Sequence, residues 1–127
     1  MIIGAPEHIP PERGDAYHGG AGPYMRRTLL EAVPGSVLKY VRDITIPAGT
    51  SIGRHLHTDD EELYFVVSGE GVMAVDAEEC PVGPGTAVLA LPGSTHAIRN
   101  EGTEELRIVV VCAGQAEGAH PWSGRPE

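Results

Sequence analysis

Seventeen glycines and eleven prolines are spread along the whole chain of 127 residues rather than gathered in one linker. No other feature constrains the fold as much. Long helices have little room between such breaks, because proline blocks a helix interior and glycine weakens it. Short extended runs do fit. VLKYVRDITI (37–46), ELYFVVS (62–68), GVMAVD (71–76), TAVLAL (86–91) and LRIVVVC (106–112) are rich in β-branched and other apolar residues. Turn sequences separate them: PAG (47–49), SGEG (68–71), VGPG (82–85), PGS (92–94) and NEGTEE (100–105). This spacing predicts an all-β sandwich or barrel. The one helix candidate, YMRRTLLEAV (24–33), is read as a strand leading into the PGS turn at 34–36. The tail GQAEGAHPWSGRPE reads as irregular. Its Trp122 is expected to pack on the barrel surface or on a neighbouring subunit.

The length suits one domain with one core, and 41% hydrophobic residues suit a globular chain. A formal net charge of −9 argues against a nucleic-acid partner, which would select for Lys and Arg. No apolar run approaches the roughly 20 residues of a membrane span, so no membrane partner is expected. MIIGAPEHIPPERGD lacks the basic flank and apolar stretch of a signal peptide, and the expected location is the cytoplasm. Cys80 and Cys112 form no CxxC pair, which excludes a sulfur-only zinc site. Cys112 ends an apolar run and reads as a buried thiol.

HLHTDDEE (55–62) carries the chemistry. In an extended strand, alternate side chains share a face, so His55 and His57 point the same way. TDDE can turn, and Glu62 can return beside the histidines as the next strand opens. Two imidazoles and a carboxylate on one face suit Fe(II), Mn(II), Ni(II), Co(II), Zn(II) or Cu(II). His96, in PGSTHAIRN, could supply a fourth ligand if the sheet closes. The competing reading is a polar turn between two strands, with Asp59, Asp60 and Glu61 solvated.

The wider segment GTSIGRHLHTDDEELYFVVSG (49–69) resembles the first motif of the cupin superfamily at Gly49, His55, His57, Glu62 and Gly69. GTAVLALPGSTHAIRN (85–100) resembles the second motif at Gly85, Gly93, His96 and Asn100. It departs where Leu91 takes the motif's proline position, with Pro92 one place later. The resemblance implies a double-stranded β-helix, or jelly-roll barrel, that holds one metal. Carried over by position, the ligands are His55, His57, Glu62 and His96, with Glu61 as the rival carboxylate. A single cupin domain over 1–127 is implied: an N-terminal arm and first strands at 1–35, a barrel core at 36–113 and the tail at 114–127. A homodimer is the expected assembly. The motif glycines and Asn100 are read as turn residues.

Strand parity adds the surroundings. In 37–46, Leu38, Tyr40, Arg42, Ile44 and Ile46 form the more apolar set and should face inward. Arg42 then needs an acceptor: a protein carboxylate, or an anionic substrate gripped by its planar fork. Tyr40 and Tyr64 could present hydroxyls to the same cavity. With Glu62 inward, Tyr64 and Val66 share its face, while Phe65 and Val67 take the other. These three, Tyr64, Arg42 and Tyr40, are the candidate catalytic residues. His18, in AYHGGAGPYMRR, reads as an exposed loop histidine, with a lid or dimer arm as the alternative. His8 and His120 read as surface residues.

The function expected is a metal-dependent enzyme acting on a small organic molecule, with Fe(II) dioxygenase chemistry first. The alternatives are a non-oxidative isomerase, cyclase or lyase, and a binding protein without turnover.

Overall fold

The computed structural model describes residues 1–114. Trp122 and His120 lie outside the described residues. Among the described residues, ten strands form two antiparallel sheets. In chain order they are β1 (Glu12–Asp15), β2 (Pro23–Glu31), β3 (Leu38–Ile46), β4 (Ser51–Leu56), β5 (Asp60–Ser68), β6 (Gly71–Val75), β7 (Glu78–Val82), β8 (Ala87–Ala90), β9 (Thr95–Arg99) and β10 (Leu106–Gly114). The larger sheet has the order β1-β2-β3-β10-β5-β8 and the smaller β4-β9-β6-β7. This is the expected all-β barrel. The segment at 24–33 is strand β2 as far as Glu31, as read.

The register explains where the core ends and the site begins. Ile44, Ile108 and Val66 lie side by side across β3, β10 and β5. The next inward row is Arg42, Val110, Tyr64 and Val88, and the one after is Tyr40, Cys112, Glu62 and Ala90. The first row is fully apolar and each member is at most 1% exposed. Moving along the barrel, the rows become polar one step at a time. On the facing sheet, Ile52, Ile98 and Met73 pack the apolar end, while His55 and His96 pair at the polar end. Burying one such aliphatic side chain stabilises the fold by about 1.5–3 kcal/mol. The apolar half therefore holds the barrel, and the other half is free to carry polar groups.

Strand parity holds in β5: Glu62, Tyr64 and Val66 are buried, whereas Phe65 and Val67 are exposed. It holds in β3 except at Leu38, which is 36% exposed. A register shift between Cys112 and Ala113 accompanies that exception, and it takes the last inward position out of the core. Asp43, on the outer face, is buried all the same, because Arg107 closes over it with two hydrogen bonds of 3.0 and 2.8 Å. Cys112 is fully buried, as expected.

Tight turns close the strands. Gly69 has φ of 83°, and a Cβ there would lie 2.3 Å from the Glu105 carbonyl oxygen. Only glycine fits that approach. Asn100, 2% exposed, donates to the Ile46 carbonyl (2.9 Å) and the Glu104 carbonyl (2.7 Å), and its own Oδ1 accepts from the Gly102 N–H (3.0 Å). The side chain thus fastens its own turn, as read, and also ties that turn to the end of β3.

Candidate metal centre

A β-bulge aims the first ligand. Ile52 pairs with Ile98 and His55 with His96, so three steps on β4 match two on β9. Without the extra residue, Ile52 and His55 would face opposite sides of the sheet. The bulge lets both point inward. His57 follows just past the end of β4 and keeps the parity of His55. The Gly93 N–H donates to the His57 carbonyl (2.7 Å), which pins this segment to the turn before β9. His96 lies within β9 itself, not ahead of it.

The four residues converge. One donor atom from each of His55, His57, Glu62 and His96 lies within 4.8 Å of all the others. Glu62 Oε1 is 3.4 Å from His55 Nε2, 3.2 Å from His57 Nε2 and 2.7 Å from His96 Nε2. His55 Nδ1 faces the Gly53 carbonyl at 2.8 Å, and His57 Nδ1 faces Asp60 Oδ1 at 2.7 Å. Both partners can only accept, so each Nδ1 carries the proton. Each Nε2 therefore turns a lone pair toward Glu62 Oε1 when the ring is neutral. Lone pairs meeting a carboxylate oxygen repel unless a cation lies among them. Three imidazoles, two of them with the outer N–H held, plus one carboxylate are a donor set that divalent transition metals favour. The residues present fit such an ion.

Glu62 is 3% exposed. Burial alone would raise its carboxyl, but hydrogen bonds from His55 and His96, when those rings carry a proton on Nε2, and from Tyr40 outweigh that and hold it well below the usual carboxylate range. The Tyr40 hydroxyl donates to Glu62 Oε2. Burial, and then this bond, push the Tyr40 phenol far up, so it stays a neutral donor. His96 Nδ1 is buried without a hydrogen-bond partner.

Asp60 corrects the sequence reading. It is half-buried rather than a solvated turn residue. One oxygen accepts a hydrogen bond from His57 Nδ1–H and the other accepts from Lys39 Nζ at 2.9 Å. The hint in the sequence was its spacing, three residues after a histidine. Glu61 faces away from the centre, opposite Ala113.

Arg42 does face inward. Its guanidinium lies 3.7 Å over the Tyr40 ring, and Nη1 donates to the Tyr17 hydroxyl at 3.4 Å. Its Nε is buried without a partner. No carboxylate of the described residues forms an ion pair with it. Tyr17, which the sequence did not single out, is a buried core residue whose hydroxyl also accepts from Arg26 at 3.1 Å. Tyr64 is buried with its ring edge-on to His96, centroids 5.4 Å apart. His18 is exposed, as read, but it is no free loop residue: its ring stacks on His55. Partial burial there, and then the neighbouring His55, push its pKa down to about 4. His8 is on the surface.

The barrel and this cluster together define a class, and comparison with known proteins agrees. Residues 42–112 match the Cupin domain family. The chain belongs to the cupin family. It is 31% identical over 113 residues to the oxalate-binding protein of Thermotoga maritima, an alignment that covers 87% of this chain and 92% of that protein. Its fold matches the crystal structure of a predicted oxalate decarboxylase from Thermotoga maritima, with a TM-score of 0.83 and 28% identity. That match covers 90% of this chain and 99% of the other. KdgF from Halomonas sp. shares the fold at a TM-score of 0.72 and 14% identity, covering 91% of this chain and 96% of its own. No helix among the described residues is long and apolar enough to cross a membrane.

Proposed function

We propose that this cupin holds one divalent transition metal at His55, His57, Glu62 and His96 and acts on a small carboxylate of the oxalate class bound beside it. The observation that carries the reading is the convergence of three imidazole Nε2 atoms and one carboxylate oxygen within 4.8 Å in the barrel. When bound, such a metal polarises a carboxylate as a Lewis acid and, if redox-active, supplies electrons for oxygen chemistry. The chain's own residues do the rest. Gly53 and Asp60 keep the His55 and His57 rings turned inward by holding their outer protons. Tyr40 holds Glu62 Oε2, which leaves Oε1 for the ion. Arg42 has no carboxylate partner among the described residues and a buried free Nε. A guanidinium with a buried, unpartnered Nε favours an anionic acceptor beside it. The likeness to an oxalate-binding protein supports the same ligand class.

An Fe(II) dioxygenase is the second reading. The donor set favours it equally, since three imidazoles and a carboxylate leave coordination positions for a substrate and a second small molecule.

One experiment tests both. The protein is purified without chelator, its metal measured, and oxalate titrated by calorimetry and thermal shift. About one metal per chain is expected. Oxalate should raise the melting temperature of metal-loaded protein and leave stripped protein unmoved, and stripping alone should lower it. Absence of metal in His96→Ala supports the site. Oxalate binding that ignores the metal sinks the proposal. Oxalate-dependent release of CO₂ in air and under nitrogen then separates turnover from binding, and oxygen uptake with other substrates would favour the dioxygenase.

A further inference from the structure

The segment between β1 and β2 is shaped in an unusual way. Four of its residues have positive φ: Ala16 (55°), His18 (51°), Gly19 (76°) and Gly22 (75°). Two of these carry a Cβ, and such residues enter this region only when their surroundings hold them there. Three ties do so. Tyr17, between them, is buried and its hydroxyl accepts from Arg26 and Arg42. The Ser51 N–H donates to the Ala21 carbonyl and the Ala21 N–H to Ser51 Oγ, each at 2.9 Å. Gly20 and Gly53 meet back to back: a Cβ on Gly53 would lie 2.3 Å from the His18 carbonyl oxygen, and one on Gly20 would lie 2.3 Å from the Ser51 carbonyl oxygen. The result is a strap clamped onto β4 at the bulge.

The strap delivers one side chain. The His18 ring lies on the His55 ring, with centroids 3.9 Å apart and planes 15° from parallel. His18 is not among the four residues whose donor atoms gather at the centre, so it is not a ligand in this arrangement. Its effect is on His55. The His57 ring is fixed by a carboxylate that is itself held by Lys39. The His96 ring is enclosed, with 1% of its side chain exposed. His55 has one hydrogen bond on its outer side, to the Gly53 carbonyl, and one contact on its inner side, from Nε2 to Glu62 Oε1 at 3.4 Å. Contacts at the two ring nitrogens lie in the ring plane and do not hold the imidazole against tilting about the line that joins them. A parallel ring against its face removes that freedom. Gly53 serves twice, as acceptor for His55 and as the seat of the strap.

We propose that His18 is a positioning residue of the metal centre, holding the His55 imidazole in place from a strap seated on Gly20 and Gly53. This rests on the metal reading above. The test uses Co(II) as probe in the full chain, with affinity measured against a competing chelator and the ligand field read from the visible d–d spectrum. His18→Ala should bind Co(II) about tenfold more weakly than wild type, as loss of an orienting partner does, with shifted d–d bands. His18→Phe should restore both, since it keeps a ring at the same backbone position. Gly53→Ala should behave as His18→Ala does, because its Cβ lifts the strap. Far-ultraviolet circular dichroism of the metal-free variants should match wild type. Wild-type affinity and spectrum in His18→Ala would overturn the proposal alone. So would a His18→Phe protein no better than His18→Ala. Failure of wild type to bind Co(II) would overturn the metal reading and this proposal together.

Discussion

Glu61 and Glu62 are neighbours in sequence with opposite placements. Glu62 points into the barrel and meets all three imidazoles, while Glu61 sits on the other face of β5 beside Ala113. Period-two alternation makes this difference unavoidable once one of them is inward. Glu62→Ala should therefore cut the metal content of purified protein by at least tenfold, whereas Glu61→Ala should leave it near that of wild type. Elemental analysis of the two variants checks this, and the reverse order would move the centre to the other carboxylate. Asp60 shows the limit of reading such a cluster as a string. Three consecutive acids look equally solvated, yet one of them accepts a hydrogen bond from His57 Nδ1 because the start of β5 brings it beside the ring. Arg42 is similar: alternation places it inside, but only the fold shows that its neighbours are Tyr40 and Tyr17 rather than a carboxylate.

At the scale of elements, the bulge in β4 and the Asn100 turn matter most. The bulge corrects the parity between Ile52, a core residue, and His55, a site residue. Nothing in GTSIGRHLH shows which residue is the extra one, because a bulge is defined by the partner strand. Asn100 fastens its own turn and ties it to the end of β3 through three hydrogen bonds. Asn100→Ala leaves two carbonyls and one N–H to find new partners in a buried place. We expect a loss of about 2 kcal/mol in unfolding free energy, measured by urea denaturation. A change within error would mean that water replaces the amide. Strands β1 and β7 escaped the sequence reading, and β4 and β9 were not among its apolar runs. Glu12–Asp15 and Glu78–Val82 are short, largely exposed and edge-placed, so they carry no apolar pattern to find.

For the whole molecule, stability should depend on alkaline pH. Cys112 is enclosed between β3 and β5, and burial first, then Asp60, push its thiol up to about 12. An unfolded thiol titrates near 8.5. The folded state thus holds this proton more tightly than the unfolded state. The stability it contributes is full below about pH 8.5 and falls as pH rises toward the folded value. Urea midpoints measured from pH 7.5 to pH 11 should fall more steeply for wild type than for Cys112→Ala, even though the variant starts lower because it leaves a small cavity. Parallel curves would show that the raised phenols of Tyr40 and Tyr64 account for the whole decline.

The sequence alone determined the class of fold and four candidate ligands. Strand length, turn chemistry and side-chain alternation act over a few residues, so they can be read locally in segments such as ELYFVVS and in the spacing of His55, His57 and Glu62, while His96 joined them through the resemblance to the cupin motifs. Tertiary structure decided the rest: the bulge that aims His55, the Lys39–Asp60–His57 chain, the partners of Arg42 and the strap that lays His18 on His55. Each of these depends on which distant strand lies alongside and in what register. That is settled when the two sheets close around their apolar rows, and no single stretch of the chain carries it.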